Sequence, residues 1–305
     1  MDIMKLSTEK KKFIERGLKA AHSDICEEDR IWSRYSHDKV DIGEELAKII
    51  RTLSKAFPLA RPLRALSIGS SAEPQFRILE TAFRGGLYLL DIDKEALGVV
   101  KERIHRQETD RVAAIYGDYN KIFLGQRGAV AFLRNKLGGK KVDLINLHHS
   151  LYYCDECRWG LIFKNLYREA LGPTGAMHAV MMAAKTDDQY STTWLYNHFA
   201  GRFFGCCNDQ NLCNFSQELR ANTLFKNTQM LITTHRVRFF VNDFTKFMAV
   251  VWMILLYPDV HRYTLRQRRE IVEFVYEKFW KPKKPLMQLQ DHLILYRGLG
   301  FKGLV

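Results

Sequence analysis

The sequence has no apolar stretch of the length that a membrane crossing needs. Its longest apolar run, Phe247 to Tyr257, falls far short of the ~20 residues that span a bilayer. A secretory leader is also missing, because no apolar segment follows the charged run Glu9, Lys10, Lys11 and Lys12. Together these absences predict a cytoplasmic protein with no membrane partner. Cysteine is sparse. Six residues (Cys26, Cys154, Cys157, Cys206, Cys207 and Cys213) in a chain of 305 do not make a disulfide scaffold. Cys154-x-x-Cys157 has no matching second pair to complete a zinc site, so reduced thiols and no bound metal are expected. The phosphate-cradling run G-x-G-x-x-G is absent too.

What is there is ordinary globular composition, 47% hydrophobic and 27% charged, with a formal net charge of +13. That charge invites a nucleic-acid partner. The basic residues are scattered, however, with short runs at Lys10–Lys12, Arg266–Arg269 and Lys281–Lys284, and no aromatic residues interleave with them as a single-strand platform would require. A solvated basic surface is expected, with RNA binding as the alternative.

Residues 1–60 read as a helical N-terminal segment, with Phe13, Ile14, Leu18, Ile42, Leu46, Ile49, Ile50 and Leu53 at helical spacing and Pro58 and Pro62 closing it. An alternation follows over the remainder, 61–305. Apolar strands are expected at Leu63 to Ile68, Leu87 to Leu90, Val112 to Tyr116, Val142 to Leu147 and Ala176 to Met182. Helices are expected at Ala72 to Phe83, Lys94 to Arg106, Ala129 to Leu137 and Asp155 to Leu171, the last stopped by Gly172-Pro173. This order specifies an α/β fold with a Rossmann-like parallel sheet covered on both faces. Helical insertions near 184–227 and 243–286 are expected to form a substrate cover.

Right-handed crossovers bring the carboxyl ends of such strands to one edge, where ligands bind. Gly69, Asp91, Asp118 and His148 fall there. The loop Gly69-Ser70-Ser71-Ala72-Glu73 lets a ligand approach the backbone. Glu73 is hostile to a pyrophosphate and compatible with a ligand carrying an ammonium and a sulfonium, although a glutamate there can equally cap a helix. Asp91 can accept from both hydroxyls of a ribose or act as an N-cap, a role Asp93 could fill instead. Asp118, with Tyr119 beside it, can accept from an exocyclic amine.

The runs Leu66-Ser67-Ile68-Gly69, Leu90-Asp91-Ile92-Asp93, Gly117-Asp118 and Val142-Asp143-Leu144-Ile145, in that order, resemble the motifs of class I S-adenosylmethionine-dependent methyltransferases. Within that group the chain is most similar to the histamine N-methyltransferase family. The likeness rests on Leu66 to Gly69, on Leu151-Tyr152-Tyr153, and on Arg202-Phe203. It extends to a strand near Met230 to Val241, a helical insertion at 243–280 and a last strand near Gln290 to Arg297, spanning residues 20–298 in all.

The resemblance implies S-adenosylmethionine as cofactor and methyl transfer to a small nucleophilic acceptor, an amine or imidazole nitrogen. Carried over by position, the cofactor set is Gly69, Ser70, Glu73, Asp91, Ile92, Asp118, Tyr119 and His148. The acceptor set is His149, Tyr153, Tyr196 and Gln288, with His149 also the candidate catalytic residue as hydrogen-bonding group or base. Tyr153, Trp194 and Tyr196 could wall a flat or cationic acceptor. Ser71 and Glu73 stand where the family has loop glycines. Its N-terminal acceptor-binding glutamate has only Asp24, Glu27 and Glu28 nearby. Two other classes stay open: an RNA methyltransferase, which lacks an Asn-Pro-Pro-Tyr-like base motif here, and a non-catalytic cofactor-binding protein.

Overall fold

The computed structural model describes residues 2–22, 25–69, 71–255 and 262–299. In chain order these form α1 (Asp2–Lys19), α2 (Ile25–Tyr35), α3 (Asp38–Ala56), β1 (Arg64–Ile68), α4 (Phe76–Ala82), β2 (Gly86–Asp91), α5 (Lys94–Gln107) and β3 (Val112–Tyr116). There follow α6 (Tyr119–Phe123), α7 (Gln126–Lys136), β4 (Val142–His148), α8 (Glu156–Asn165), β5 (Leu171–Met182), α9 (Thr192–Phe204) and α10 (Leu212–Ala221). The chain continues through β6 (Thr228–Phe239), α11 (Phe244–Ile254) and α12 (Leu265–Val275) to β7 (Leu286–Arg297).

Two compact units result, one of residues 40–181, 210–235 and 290–305, the other of 1–39, 182–209 and 236–289. The first is built on a seven-stranded sheet in the order β3-β2-β1-β4-β5-β7-β6. Pairing is parallel from β3 through β2, β1 and β4 to β5. Because β2 pairs on one side of β1 and β4 on the other, the order reverses between β1 and β4, which is where open α/β sheets bind ligands. Every residue of β4 is buried, as expected for a strand covered on both faces. One face packs Ile145, Leu147, Met177 and Leu293 against Phe123, Phe132, Trp159 and Phe163 from α6, α7 and α8. The opposite face packs Leu144, Ala176, Val180 and Ile294 against Ile42, Leu46, Ile49 and Leu79 from α3 and α4.

The other unit has its own core. Phe244, Phe247, Val251 and Trp252 of α11 meet Ile14, Trp32, Phe199, Val272 and Phe279. Trp252 donates its indole N–H to the carbonyl of Gly17 at 2.9 Å. A Cβ at Gly17 would lie 2.5 Å from Val272 Cγ1, so only glycine lets α1 approach α12 this closely.

Several boundaries differ from the sequence reading. The unit boundary falls after Lys39 and not at residue 60, because α3 carries its apolar stripe to the sheet. Within 184–227, α10 also belongs to the sheet's core through Leu212, Phe215 and Leu219. The helix expected from Ala72 begins only at Phe76. Ser71 and Glu73 have φ of 53° and 52°, which no right-handed helix accommodates, and Pro74 disfavours helical geometry at the residue before it. The helix expected to reach Leu171 ends its regular α-helical hydrogen bonding at Asn165 and closes through a single wide turn, Leu166–Ala170. Gly172-Pro173 then lies at the start of β5, beside a register shift between Val142 and Leu144, where a missing ladder donor is tolerated.

Candidate functional site

The chain leaves β1 through Gly69, whose φ is 63° and whose missing side chain matters: a Cβ would lie 2.6 Å from Cβ of Ser150, just past β4. The loop after β1 and the turn after β4 are thus in contact at the switch point. Among the described residues, five non-glycine positions have positive φ, and three of them, Ser71, Glu73 and His149, lie on these two segments. Backbone strain of this kind clusters at active sites and ligand clamps, which makes this edge the candidate site.

Asp91 holds the loop in place. One carboxylate oxygen accepts from the backbone N–H of Ser71 at 2.9 Å and the other from that of Asp93 at 2.8 Å. Burial pushes its pKa up, while these backbone donors oppose the shift. Asp93 caps α5, accepting from the N–H groups of Glu95 and Ala96, which leaves Asp91 outside the helix as a candidate ligand. Ile92 beside it is 59% exposed, an aliphatic surface at the edge.

Glu73 is buried. Its carboxylate accepts from the hydroxyl of Ser67 and, at 3.1 Å, from the N–H of Gln75. Arg103 donates to the carbonyl of Ala72 at 2.6 Å and to that of Glu73 at 3.2 Å, clamping the loop from below. Asp118 caps α6, accepting from Asn120 N–H at 3.0 Å, and lies 3.7 Å from Lys121 Nζ. Tyr119 is buried and donates its hydroxyl to Ser150 O at 2.8 Å; burial raises its pKa, so it remains a phenol. Ser70 and Asp24 lie outside the described residues.

At the end of β4, His148 is buried and His149 half-buried. The side-chain amide of Gln290 donates to Nε2 of His149 at 3.3 Å, which places the proton of the neutral ring on Nδ1, facing the Tyr152 hydroxyl at 3.2 Å. Tyr153 is 63% exposed. Tyr196 on α9 and Gln288 on β7 belong to the other unit, where both are buried.

Sequence reasoning missed a second polar set on the sheet. Asn146 pairs in register with Ser67 on one side and His178 on the other. Neither amide atom of Asn146 has a protein hydrogen-bond partner, and the same is true of Ser150 Oγ and Gln290 Oε1; all three residues are fully buried. His178 joins His148 and His292 at 3.0 and 3.1 Å. The available signal was a polar residue inside an otherwise apolar strand.

No family model and no curated protein matches this sequence. Solved structures do. A Bacillus halodurans protein assigned as a methyltransferase superposes with a TM-score of 0.51 at 12% identity, covering 82% of this chain and 99% of its own. The YcgJ protein of Bacillus subtilis reaches 0.49 at 12% identity, over 82% and 99% of the two chains. A Galdieria sulphuraria protein assigned as a sarcosine dimethylglycine methyltransferase reaches 0.47 at 14%, over 84% and 83%. At such identities the first likeness speaks for the fold alone: a Rossmann-like methyltransferase sheet.

Proposed function

We propose that the chain is an S-adenosylmethionine-dependent methyltransferase acting on a small nucleophilic acceptor, an amine or imidazole nitrogen. The observation that carries this reading is the strained Gly69–Glu73 loop anchored by Asp91 at the switch point of a methyltransferase-type sheet. The residues fit the cofactor. The Asp91 carboxylate, with two lone pairs on each oxygen, has room for ribose hydroxyls beside the backbone N–H groups of Ser71 and Asp93. Ile92 offers an apolar surface to a flat ring. The buried carboxylates of Glu73 and Asp91 favour a cationic ligand over a polyphosphate.

S-adenosylmethionine supplies a methyl group made electrophilic by its sulfonium. The protein's part is then positioning and the exclusion of water, with no metal needed. His149, its ring held by Gln290 and Tyr152, would orient the acceptor by exchanging the 3.2 Å contact to the Tyr152 hydroxyl for a hydrogen bond to the acceptor. Exposed Tyr153 offers an aromatic face to a cationic or ring-bearing acceptor.

Calorimetry with S-adenosylhomocysteine tests the cofactor, and a labelled-methyl screen over amines, imidazoles and phenols tests the acceptor class. Absence of any S-adenosylhomocysteine binding would overturn the reading. Binding without transfer to any class would leave a non-catalytic cofactor protein, and a salt-sensitive complex with RNA would move the acceptor to nucleic acid.

A further inference from the structure

The turn that follows β4 is held from two sides. On one side Gly69 lies against Ser150, with no room for a side chain between them. On the other side α6 supplies two donors. The buried hydroxyl of Tyr119 donates to Ser150 O at 2.8 Å, and the side-chain amide of Asn120 donates to Tyr153 O at 3.1 Å. Between these points the turn closes on itself, with Tyr153 N–H donating to Ser150 O at 3.3 Å and Cys154 N–H to Leu151 O at 3.1 Å. Ser150 O has two lone pairs, so it takes the Tyr119 hydroxyl and the Tyr153 N–H together. The segment carries Tyr152 and Tyr153 and comes directly after His149.

α6 is firmly mounted at both ends. Phe123, its last residue, is fully buried and edge-on to Phe132 at 5.2 Å, and its carbonyl accepts from the Asn165 amide at 2.8 Å. Its start is set by the ends of β2 and β3. Asp118 caps it by accepting from Asn120 N–H at 3.0 Å, and Gly117 N–H donates to Asp91 O at 2.9 Å. Asp118, Tyr119 and Asn120 are consecutive. Whatever fixes the Asp118 cap therefore fixes the two donors that hold the turn.

We propose that Tyr119 and Asn120 are positioning residues, which transmit cofactor binding at Asp91 and Asp118 to the turn 150–153 that carries Tyr153. The inference rests on the S-adenosylmethionine reading for the identity of the ligand at those strand ends. A ligand whose ribose hydroxyls and exocyclic amine bond to the two carboxylates restrains the ends of β2 and β3, and with them the cap of α6. The cap then opens less often, and the turn tied to Tyr119 and Asn120 opens less often with it. Such coupling is reciprocal, so an ordered turn also strengthens cofactor binding. The backbone at the joint favours transmission over plain packing. His149, at the head of the turn, has a φ of 54°, and a non-glycine residue keeps that conformation only where its surroundings hold it. Tyr119 and Asn120 supply the part of that restraint that comes from the cofactor side.

The test is amide hydrogen exchange, resolved by residue, on the full chain with and without saturating S-adenosylhomocysteine. The N–H groups of Ser71 and Asp93, both bonded to the Asp91 carboxylate, report the cofactor site, and those of Tyr153 and Cys154 report the turn. In the wild type S-adenosylhomocysteine should slow exchange at all four, by ~5-fold or more at the turn. Tyr119→Phe, which keeps the buried ring, and Asn120→Ala should each shrink the slowing at Tyr153 and Cys154. The double variant should abolish it there, while the slowing at Ser71 and Asp93 persists. A merely structural role gives a different result: faster exchange at the turn with and without the ligand, and an unchanged ratio between the two. That unchanged ratio would overturn the inference and leave the functional reading standing, as would a wild-type turn that ignores S-adenosylhomocysteine while Ser71 and Asp93 respond. If S-adenosylhomocysteine alters none of the four amides, both fall. Should the double variant not fold, Tyr119→Phe alone decides, since it removes one hydroxyl and nothing else.

Discussion

The two faces of one sheet carry different chemistry. Towards α6, α7 and α8 the central strands present Ile145, Leu147, Met177, Ala179, Met181, Leu293 and Leu295, all apolar and fully buried. Towards α3 and α4 the same strands alternate Leu144, Ala176, Val180, Ile294 and Tyr296 with Asn146, His148, His178, Gln290 and His292. Polar groups buried in this way cost stability unless fully paired, and apolar replacements are often neutral or favourable. The first face therefore holds the sheet together. The second gives up some of that stability to bring polar atoms to the sheet edge at the switch point.

The largest effect should come from the apolar face. Trp159 is fully buried, meets Phe215 edge-on at 5.3 Å and donates its indole N–H to Cys154 O at 3.1 Å. Trp159→Ala should cost ~3–5 kcal/mol, chiefly by the cavity left, since Cys154 O keeps the side-chain amide of Gln210 at 2.9 Å. Urea unfolding measures it, and a loss under ~1 kcal/mol would mean that this face does not carry the fold.

On the polar face the expected loss is smaller. His178→Phe keeps a flat ring and removes the partner of both His148 and His292, for a cost of ~1–3 kcal/mol at neutral pH. Its sharper signature is the pH dependence. The folded His178 pKa is depressed, so the unfolded chain takes up a proton that the folded chain refuses. This residue's contribution is whole above the ordinary histidine value of about 6.5 and is lost as pH falls below it. The acid limb of the stability curve should thus be shallower in His178→Phe, by up to ~1.4 kcal/mol per pH unit. Parallel acid limbs in the two proteins would contradict a neutral His178.

The difference between the faces also explains what could be read from sequence. The βα alternation, the apolar strands and the polar strand ends Gly69, Asp91, Asp118 and His148 were all legible, because each follows from periodicity within a short segment. The row of His148, His178 and His292 was not. It joins residues separated by 30 and 114 positions, and it exists only because β7 lies between β5 and β6 in the sheet. Likewise Asp118 and Tyr119 sit at a strand end as expected, yet the structure engages Asp118 in capping α6 and Tyr119 in bonding Ser150 O. Position along a strand indicates which residues reach the edge. It does not indicate which of them local backbone donors and acceptors will engage.

At the edge itself, Asp91→Asn keeps the shape of the side chain and weakens its acceptor power. S-adenosylhomocysteine affinity should fall ~10-fold, about 1.4 kcal/mol, with a stability loss of about 1 kcal/mol because the amide nitrogen then faces one of the backbone N–H groups of Ser71 and Asp93. In the wild type the raised Asp91 pKa adds a pH dependence. Hydroxyl donors favour the ionised carboxylate, so affinity should decline as pH drops through that raised value, and Asp91→Asn should abolish the decline. Calorimetry at several pH values distinguishes the two curves, and identical affinities would remove Asp91 from the ribose site.

The smallest effect on stability, with a sign opposite to the rest, is expected at Asn146. Its side chain is fully buried between Ser67 and His178, and neither its oxygen nor its nitrogen bonds to another protein group. An unsatisfied buried amide costs ~1–3 kcal/mol, so a leucine of similar volume removes that penalty while placing a branched side chain where a planar one stood. The two terms nearly cancel. Asn146→Leu should leave stability unchanged or raise it by up to ~1 kcal/mol, whereas the same polar-to-apolar change at a paired group such as His178 is costly. If Asn146 serves the ligand edge, this stable variant should bind S-adenosylhomocysteine less well or transfer methyl more slowly, separating function from folding on one face of the sheet. A variant both less stable and equally active would show that Asn146 is paired in solution and structural, and that the second face gives up less than the comparison implies.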